Sequence, residues 1–131
     1  NTMKNISEFE DKKFIHSENT EWNKKLDFYE DKINFFQSEL FEVMKSNPED
    51  EKTNNHVENY RMLFIEKTSL INELRKRITD SEHNFVSAPE DTTLVPAHHE
   101  LRADIHEFDD NFEILKNNYM QFVAEYAIPR R

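Results

Sequence analysis

The stretch LRADIHEFDDNFEILKNNYMQFVAEY, residues 101–126, decides the fold of this chain. Its large apolar residues recur at alternating steps of four and three, which places them along one side of an α-helix. A period near 3.5 is incompatible with a β-strand, whose side chains alternate with a period of two. The residues on this side are Leu101, Ile105, Phe108, Phe112, Leu115, Tyr119, Phe122 and Tyr126.

Two earlier stretches carry related patterns, and the 131 residues contain no glycine to interrupt them. The first has the same strict spacing, in Trp22, Leu26, Tyr29, Ile33, Phe36, Leu40 and Val43. The second has a broader apolar face, interrupted by Lys67 and formed by Tyr60, Leu63, Phe64, Leu70, Ile71, Leu74, Ile78 and Phe85. Three long helices with apolar sides predict a bundle of nearly antiparallel helices.

Turn and capping residues predict where these helices begin and end. Ser17 is a suitable N-cap for a first helix over 18–46. Asn47 and Pro48 predict a cap and a first helical residue, so that a second helix turns straight back and runs to about residue 86. The loop 87–96 holds Pro89 and Pro96 and separates it from a third helix.

The predicted fold is therefore all-α, an elongated antiparallel up-down-up three-helix bundle with coiled-coil-like heptads. The third helix is expected over 97–127, ending before Pro129. Residues 1–16 are predicted to form a short N-terminal arm, and residues 17–131 to form the bundle domain. The arm is rich enough in apolar residues that we expect it to pack on another surface.

Composition limits the classes of partner. The chain is 36% hydrophobic and 34% charged, typical of a water-soluble domain, and its net charge is −10. That charge disfavours nucleic acid and anionic membranes, since both are bound chiefly through Lys and Arg. Without cysteine, disulfides and thiolate metal sites are excluded. The expected location is the cytoplasm by default, with secretion as the open alternative.

Some apolar residues lie outside the predicted core. In the first helix Phe28 and Phe35 fall on its outer side, and in the second the run from Met62 to Ile65 must point all round the helix. We predict that Phe28, Phe35, Met62 and Ile65 form an apolar girdle at one height, which serves as the interface of a homodimer. In the alternative hypothesis, the N-terminal arm folds back over Phe28 and Phe35.

Histidines predict the main alternative function. Five of the six are expected at one end of the bundle, namely His16, His83, His98, His99 and His106. A metal-binding or pH-responsive bundle could use that end. However, His106 follows His99 by seven residues instead of the four of a zinc-protease helix, and His98 and His106 are expected only to flank the core. We therefore predict no metal site and no cofactor.

The absence of glycine also excludes several enzyme motifs. Phosphate-binding loops, dinucleotide fingerprints and nucleophile elbows need glycine where the backbone turns tightly or approaches a ligand. No residue is predicted to be catalytic. The sequence favours a non-enzymatic interaction or structural protein that forms a homodimer, with an unidentified protein partner as a further possibility.

Overall fold

The computed structural model describes the backbone of residues 2–126 and the side chains of residues 12–126. Three helices, α1 (Thr2–Ser46), α2 (Glu51–Ser87) and α3 (Leu94–Tyr126), make up nearly all of this range, and no strand occurs in it. At 1.5 Å per residue the helices are about 67, 55 and 50 Å long. The predicted all-α three-helix fold is confirmed.

Side-chain contacts give the relative directions of the helices. Near the start of α1, Glu18 contacts Arg102, and further along Phe36 contacts Tyr119, so α1 and α3 run in the same direction. Phe36 also lies 5.6 Å from Phe64, whereas Asn19 bonds Glu82, so α2 runs in the opposite direction. The helices therefore follow one another up, down and up.

The core follows the spacing of the sequence. In α3 the buried residues are Leu94, His98, Leu101, Ile105, Phe108, Phe112, Leu115, Tyr119 and Phe122. In α2 the buried side is narrower than predicted, because Leu63 and Leu70 are 38% and 39% exposed. Lys67 stands at a core position of α2, where its ammonium lies 5.8 Å from the centre of the Phe108 ring. A cation–π contact thus accommodates the residue that interrupts the apolar pattern.

The predicted start of the first helix is wrong. The helix α1 begins at Thr2, and Ser17 lies inside it instead of capping it. No proline or glycine interrupts residues 2–46, and Ile15 and Asn19 continue the four-and-three spacing of core positions toward the N-terminus. The side chains of Met3, Ile6 and Phe9 in the predicted arm, and everything beyond Tyr126, lie outside the described residues. The proposed boundary between arm and bundle at 16/17 stays a prediction.

The first turn is as tight as predicted, but its capping residues differ. Asp50 is the N-cap of α2, and its carboxylate accepts hydrogen bonds from the backbone N–H and the hydroxyl of Thr53. Asn47 instead donates to the carbonyl of Val43 at the end of α1. Pro48 therefore lies in the turn, where its missing N–H leaves no helical hydrogen bond unmade.

The second loop is shorter than predicted, because α3 begins at Leu94. Pro96 lies in the first turn of this helix, where a proline is tolerated since the N–H groups there have no helical acceptor. Just before α3, the carboxylate of Asp91 accepts hydrogen bonds from the backbone N–H and the hydroxyl of Thr93. The N–H of Ala97 then donates to the carbonyl of Thr93.

We expect Phe64→Ala to lower the free energy of unfolding by about 3–5 kcal/mol, because Phe64 is 0% exposed and its loss leaves a cavity among three helices. The matched control is Ile114→Ala on the outer side of α3, where the residue is 59% exposed and the change should stay within about 0.5 kcal/mol. Urea denaturation followed by circular dichroism measures both. Equal losses for the two variants would contradict this packing.

Candidate functional site

A layer of polar side chains crosses the apolar core near one end of the bundle. It contains one side chain from each helix: buried Asn19 of α1, half-buried Ser81 of α2 and buried His98 of α3. Asn19 and His98 are 1% and 2% exposed. On one side lies the main core, and on the other lies a small apolar cluster of Ile15, Phe85 and Leu94. This polar layer is the candidate functional site.

His98 lies at the centre of the layer. Its Nδ1 atom is 3.0 Å from the Ser81 hydroxyl, and its Nε2 atom is 2.9 Å from a carboxylate oxygen of Glu18. The indole of Trp22 stacks on the imidazole with ring centres 5.0 Å apart, and the Phe85 ring meets it edge-on at 6.1 Å. Both nitrogens and both sides of the ring are thus held in place.

Glu18 determines which nitrogen of His98 carries the proton. The guanidinium of Arg102 donates to both carboxylate oxygens, over 2.7 and 2.6 Å. Burial would raise the pKa of Glu18, but the hydrogen bonds from Arg102 and His98 lower it below its ordinary value. The ionised carboxylate only accepts hydrogen bonds, so His98 must donate from Nε2. Its Nδ1 is then free to accept the proton of the Ser81 hydroxyl.

The pKa of His98 is consistent with a neutral ring. Burial lowers it, because a charged imidazolium loses its hydration in the core. The neighbouring Glu18 carboxylate raises it, while the positive charge of Arg102 lowers it, and the net direction is below the ordinary value of 6.5. His98 is therefore uncharged at pH 7, and a neutral ring can form both hydrogen bonds.

Asn19 extends the layer toward Glu82. Its amide nitrogen donates to Glu82 over 2.9 Å and to the Ser81 hydroxyl over 3.3 Å, while His16 lies 3.0 Å from the other Glu82 oxygen. Burial would raise the pKa of Glu82, but the hydrogen bonds from His16 and Asn19 lower it overall. Among the described residues, the buried amide oxygen of Asn19 has no hydrogen-bond partner.

The order Ser81, His98, Glu18 matches that of a nucleophile, its base and an orienting carboxylate. Ser81, together with Arg77 and Glu100, also lines a cavity of about 370 Å³ between α2 and α3. Acyl transfer, however, needs an exposed base and donors for a developing oxyanion. His98 is almost completely buried, and Ser81 lies inside α2, where backbone N–H groups are committed to the helix. We interpret the layer as a structural element.

The position of His98 differs from its prediction. It occupies a core position instead of flanking the core, four residues after Leu94 and three before Leu101, and this spacing was visible in the sequence. His16 and His98 do come to the same end of the bundle. The predicted neighbours His83, His99 and His106 are exposed. Within residues 12–126 no group of three or more His, Asp or Glu side chains is placed to hold a metal ion.

The four predicted interface residues are all on the surface. Phe28, Phe35, Met62 and Ile65 are 48%, 62%, 51% and 42% exposed. A continuous helix through residues 2–46 cannot fold back on itself, so the alternative hypothesis that the N-terminal arm covers Phe28 and Phe35 is wrong. The exposure of the four residues agrees with the girdle, but their role as an interface stays a prediction.

The four residues do not share one flat face. Phe28 lines a groove between α1 and α3 of about 630 Å³, together with Phe112, Glu113 and Lys116. The preceding residue, Asp27, instead pairs with Arg75 of α2 over 2.7 Å. Phe35 follows Phe28 by seven residues and therefore lies on the same side, toward α3. Met62 and Ile65 belong to α2 and do not line that groove.

None of the three helices has an apolar stretch long enough to cross a membrane within the described range. Comparisons of the chain with protein-family models, with curated proteins and with solved structures gave no match. Functional inference therefore depends on the chain's own residues.

We expect Glu18→Gln to destabilise the protein at pH 7 by about 1.5–3 kcal/mol, because it weakens the charged hydrogen bonds to Arg102 and His98. The pKa of Glu18 is lowered in the folded state, so its contribution is present above 4.5 and is lost as the pH falls through the lowered value. Urea denaturation at pH 7 and pH 3 should show the difference between variant and wild type shrinking in acid.

The control for this experiment is Glu21→Gln, three residues further along α1. Its side chain is 72% exposed and pairs only with Lys24 of the same helix. The change should alter the free energy of unfolding by less than about 0.5 kcal/mol at either pH. The importance of the Glu18 contacts is refuted if both substitutions cost the same.

We expect no stabilisation by zinc, iron or manganese, because the histidines of residues 12–126 do not converge on one point. A metal that binds only the folded protein would add about 2.7 kcal/mol at a hundred times its dissociation constant, and a thermal melt detects such a gain. A rise in Tm that disappears in His98→Ala or His106→Ala would show that a metal site exists.

Proposed function

We propose that this chain is a non-enzymatic structural or interaction protein that self-associates through the apolar girdle, with the contact centred on Phe28 and Phe35. The observation that carries the proposal is the exposure of these two rings on a helix whose core side is already complete. Fully burying a phenylalanine is worth about 1.5–3 kcal/mol, and a symmetric contact buries each ring twice.

The two rings belong to a longer stripe on α1. Phe14 lies fourteen residues before Phe28, hence on the same line along the helix, and it is 58% exposed. From Phe14 to Phe35 this stripe extends about 31 Å along the axis. The intervening position at residue 21 is a glutamate, so the uninterrupted apolar part of the stripe consists of Phe28 and Phe35.

The apolar surface continues onto α3. The groove that contains Phe28 is bordered on the α3 side by Glu113. Met120 follows Glu113 by seven residues, just as Phe35 follows Phe28, so the two occupy the next equivalent place along the groove. Met120 is 54% exposed. We expect Phe35 and Met120 to be neighbours on this side, next to a groove whose rim carries charged residues such as Lys32, Glu113 and Lys116.

A non-enzymatic role is supported by the way the polar layer is occupied. His98, Glu18 and Ser81 are bonded to one another, and this leaves the imidazole neither exposed nor free to meet a substrate. The metal-binding alternative has no cluster of ligands to support it in the described range. Buried His98 does favour the pH-responsive alternative, which can coexist with self-association.

The experiment that tests self-association is analytical ultracentrifugation above about ten micromolar, where an interface of standard size is normally populated. Wild type should sediment as a dimer. In Phe35→Glu each copy places a charge in the apolar contact, so the dimer should dissociate while circular dichroism stays helical. The control Asn34→Glu adds the same charge at an exposed position of α1 and should remain dimeric. Asn34 follows Asp27 by seven residues and therefore lies on the side toward α2, away from the groove.

Ile65→Glu locates the contact. It should leave the dimer intact if the centre lies on Phe28 and Phe35, because Ile65 belongs to α2. Wild type that stays monomeric at tens of micromolar would refute self-association. If Ile65→Glu dissociates the dimer and Phe35→Glu does not, the dimer contact does not lie in the groove between α1 and α3.

A further inference from the structure

The polar layer isolates one end of the bundle from the main core. Beyond it, the described apolar cluster consists of only Ile15, Phe85 and Leu94, one residue from each helix. Among the described residues this cluster is far smaller than the main core, so it contributes less burial to closing this end. Opening this end therefore breaks the hydrogen bonds of the layer together with the contacts of these three side chains.

From this arrangement we infer that the polar layer is an acid-sensitive contact: mild acid opens the bundle end that carries Ile15, Phe85 and Leu94, because the opened state takes up a proton on His98. The inference goes beyond self-association and does not depend on it. It concerns the end of the molecule where α1 around Ile15 meets the end of α2 and the start of α3.

Burial disfavours that proton in the closed state. The Nδ1 atom of His98 already accepts from Ser81, and protonating it would bury a charge and force the hydroxyl to turn. Once the end opens, water surrounds the ring and His98 titrates near its ordinary pKa of 6.5. The open state then binds more protons than the closed state, so acid favours opening.

Charged groups on all three helices act on His98. From α1, Glu18 favours the imidazolium; from α2, Glu82 lies near it; from α3, Arg102 and His99 disfavour it. The cavity beside the ring is also lined by Glu73, Arg77, Asp80 and Glu100. Burial outweighs the attraction of Glu18, so the pKa of His98 in the closed state is lowered.

At lower pH the carboxylates of the layer also favour opening of this end. The pKa values of Glu18 and Glu82 are both lowered in the closed state, from an ordinary value of 4.5. Their contribution is therefore present above 4.5 and is lost as the pH falls through the lowered values. Opening between pH 7.5 and 5.5 thus reports His98, while further opening below 4.5 reports the carboxylates.

The chain contains a built-in probe of this event. Trp22 is its only tryptophan and stacks on the His98 ring. Opening removes the stacking, so tryptophan fluorescence should change between pH 7.5 and 5.5. Hydrogen exchange of the full chain, corrected for the intrinsic effect of pH, should quicken by up to about tenfold over that interval in residues 12–20 and 85–98. Residues 36–43 and 57–64 in the main core should not change.

The variant His98→Gln distinguishes proton uptake by His98 from a loss of stability of this end at every pH. Glutamine can still donate to Glu18 but does not titrate. The corrected exchange rate should therefore be the same at pH 7.5 and pH 5.5, even if the end is less stable at both pH values. The control His106→Gln replaces an exposed histidine of the same helix and should keep the wild-type pH profile. A flat profile in wild type, or an unchanged profile in His98→Gln, would overturn the inference.

Discussion

Each helix of this protein has one apolar side, and only the other two helices can cover it. Phe36, Phe64 and Tyr119 show the dependence most directly, because each of these rings comes from a different helix and contacts the other two. Removing any one helix would expose the apolar sides of both remaining helices to water. The three helices are therefore expected to fold as one cooperative unit, and the loops need only be short enough to bring them together.

The polar layer adds specificity to this apolar packing. Apolar side chains tolerate sliding, since one leucine or isoleucine can replace another at a neighbouring level. Asn19, Ser81 and His98 do not, because a shift by one heptad would leave their polar atoms against hydrocarbon. The ion pair of Glu18 with Arg102 further ties α1 to α3 at the same height. We infer that the layer helps to set the register of the bundle, and in the proposed pH response the imidazole at its centre makes the closure of this end depend on pH.

The two proposals concern different parts of the molecule. Self-association uses outward residues of α1 and α3 around Phe28, Phe35 and Met120, whereas the pH response uses the inward residue His98. Both proposals start from residues that depart from the simple pattern of a helical bundle. Large apolar side chains lie outside the core, and polar side chains lie within it. Each feature makes an isolated monomer less stable than a bundle with a fully apolar core and a polar surface would be. This cost suggests that each feature has a role.

The sequence alone determined the helices and most of the core, because the four-and-three spacing of Leu101 to Tyr126 is a local property of helical geometry. It also predicted the tight turn after Ser46 and the position of Phe28 and Phe35 outside the core. Tertiary structure decided what depends on neighbours: that α1 continues through Ser17, that His98 lies in the core, and that Glu18 fixes its proton on Nε2. Spacing shows which side of a helix a residue occupies, but only packing brings a carboxylate, an imidazole and a hydroxyl from three helices within hydrogen-bonding distance.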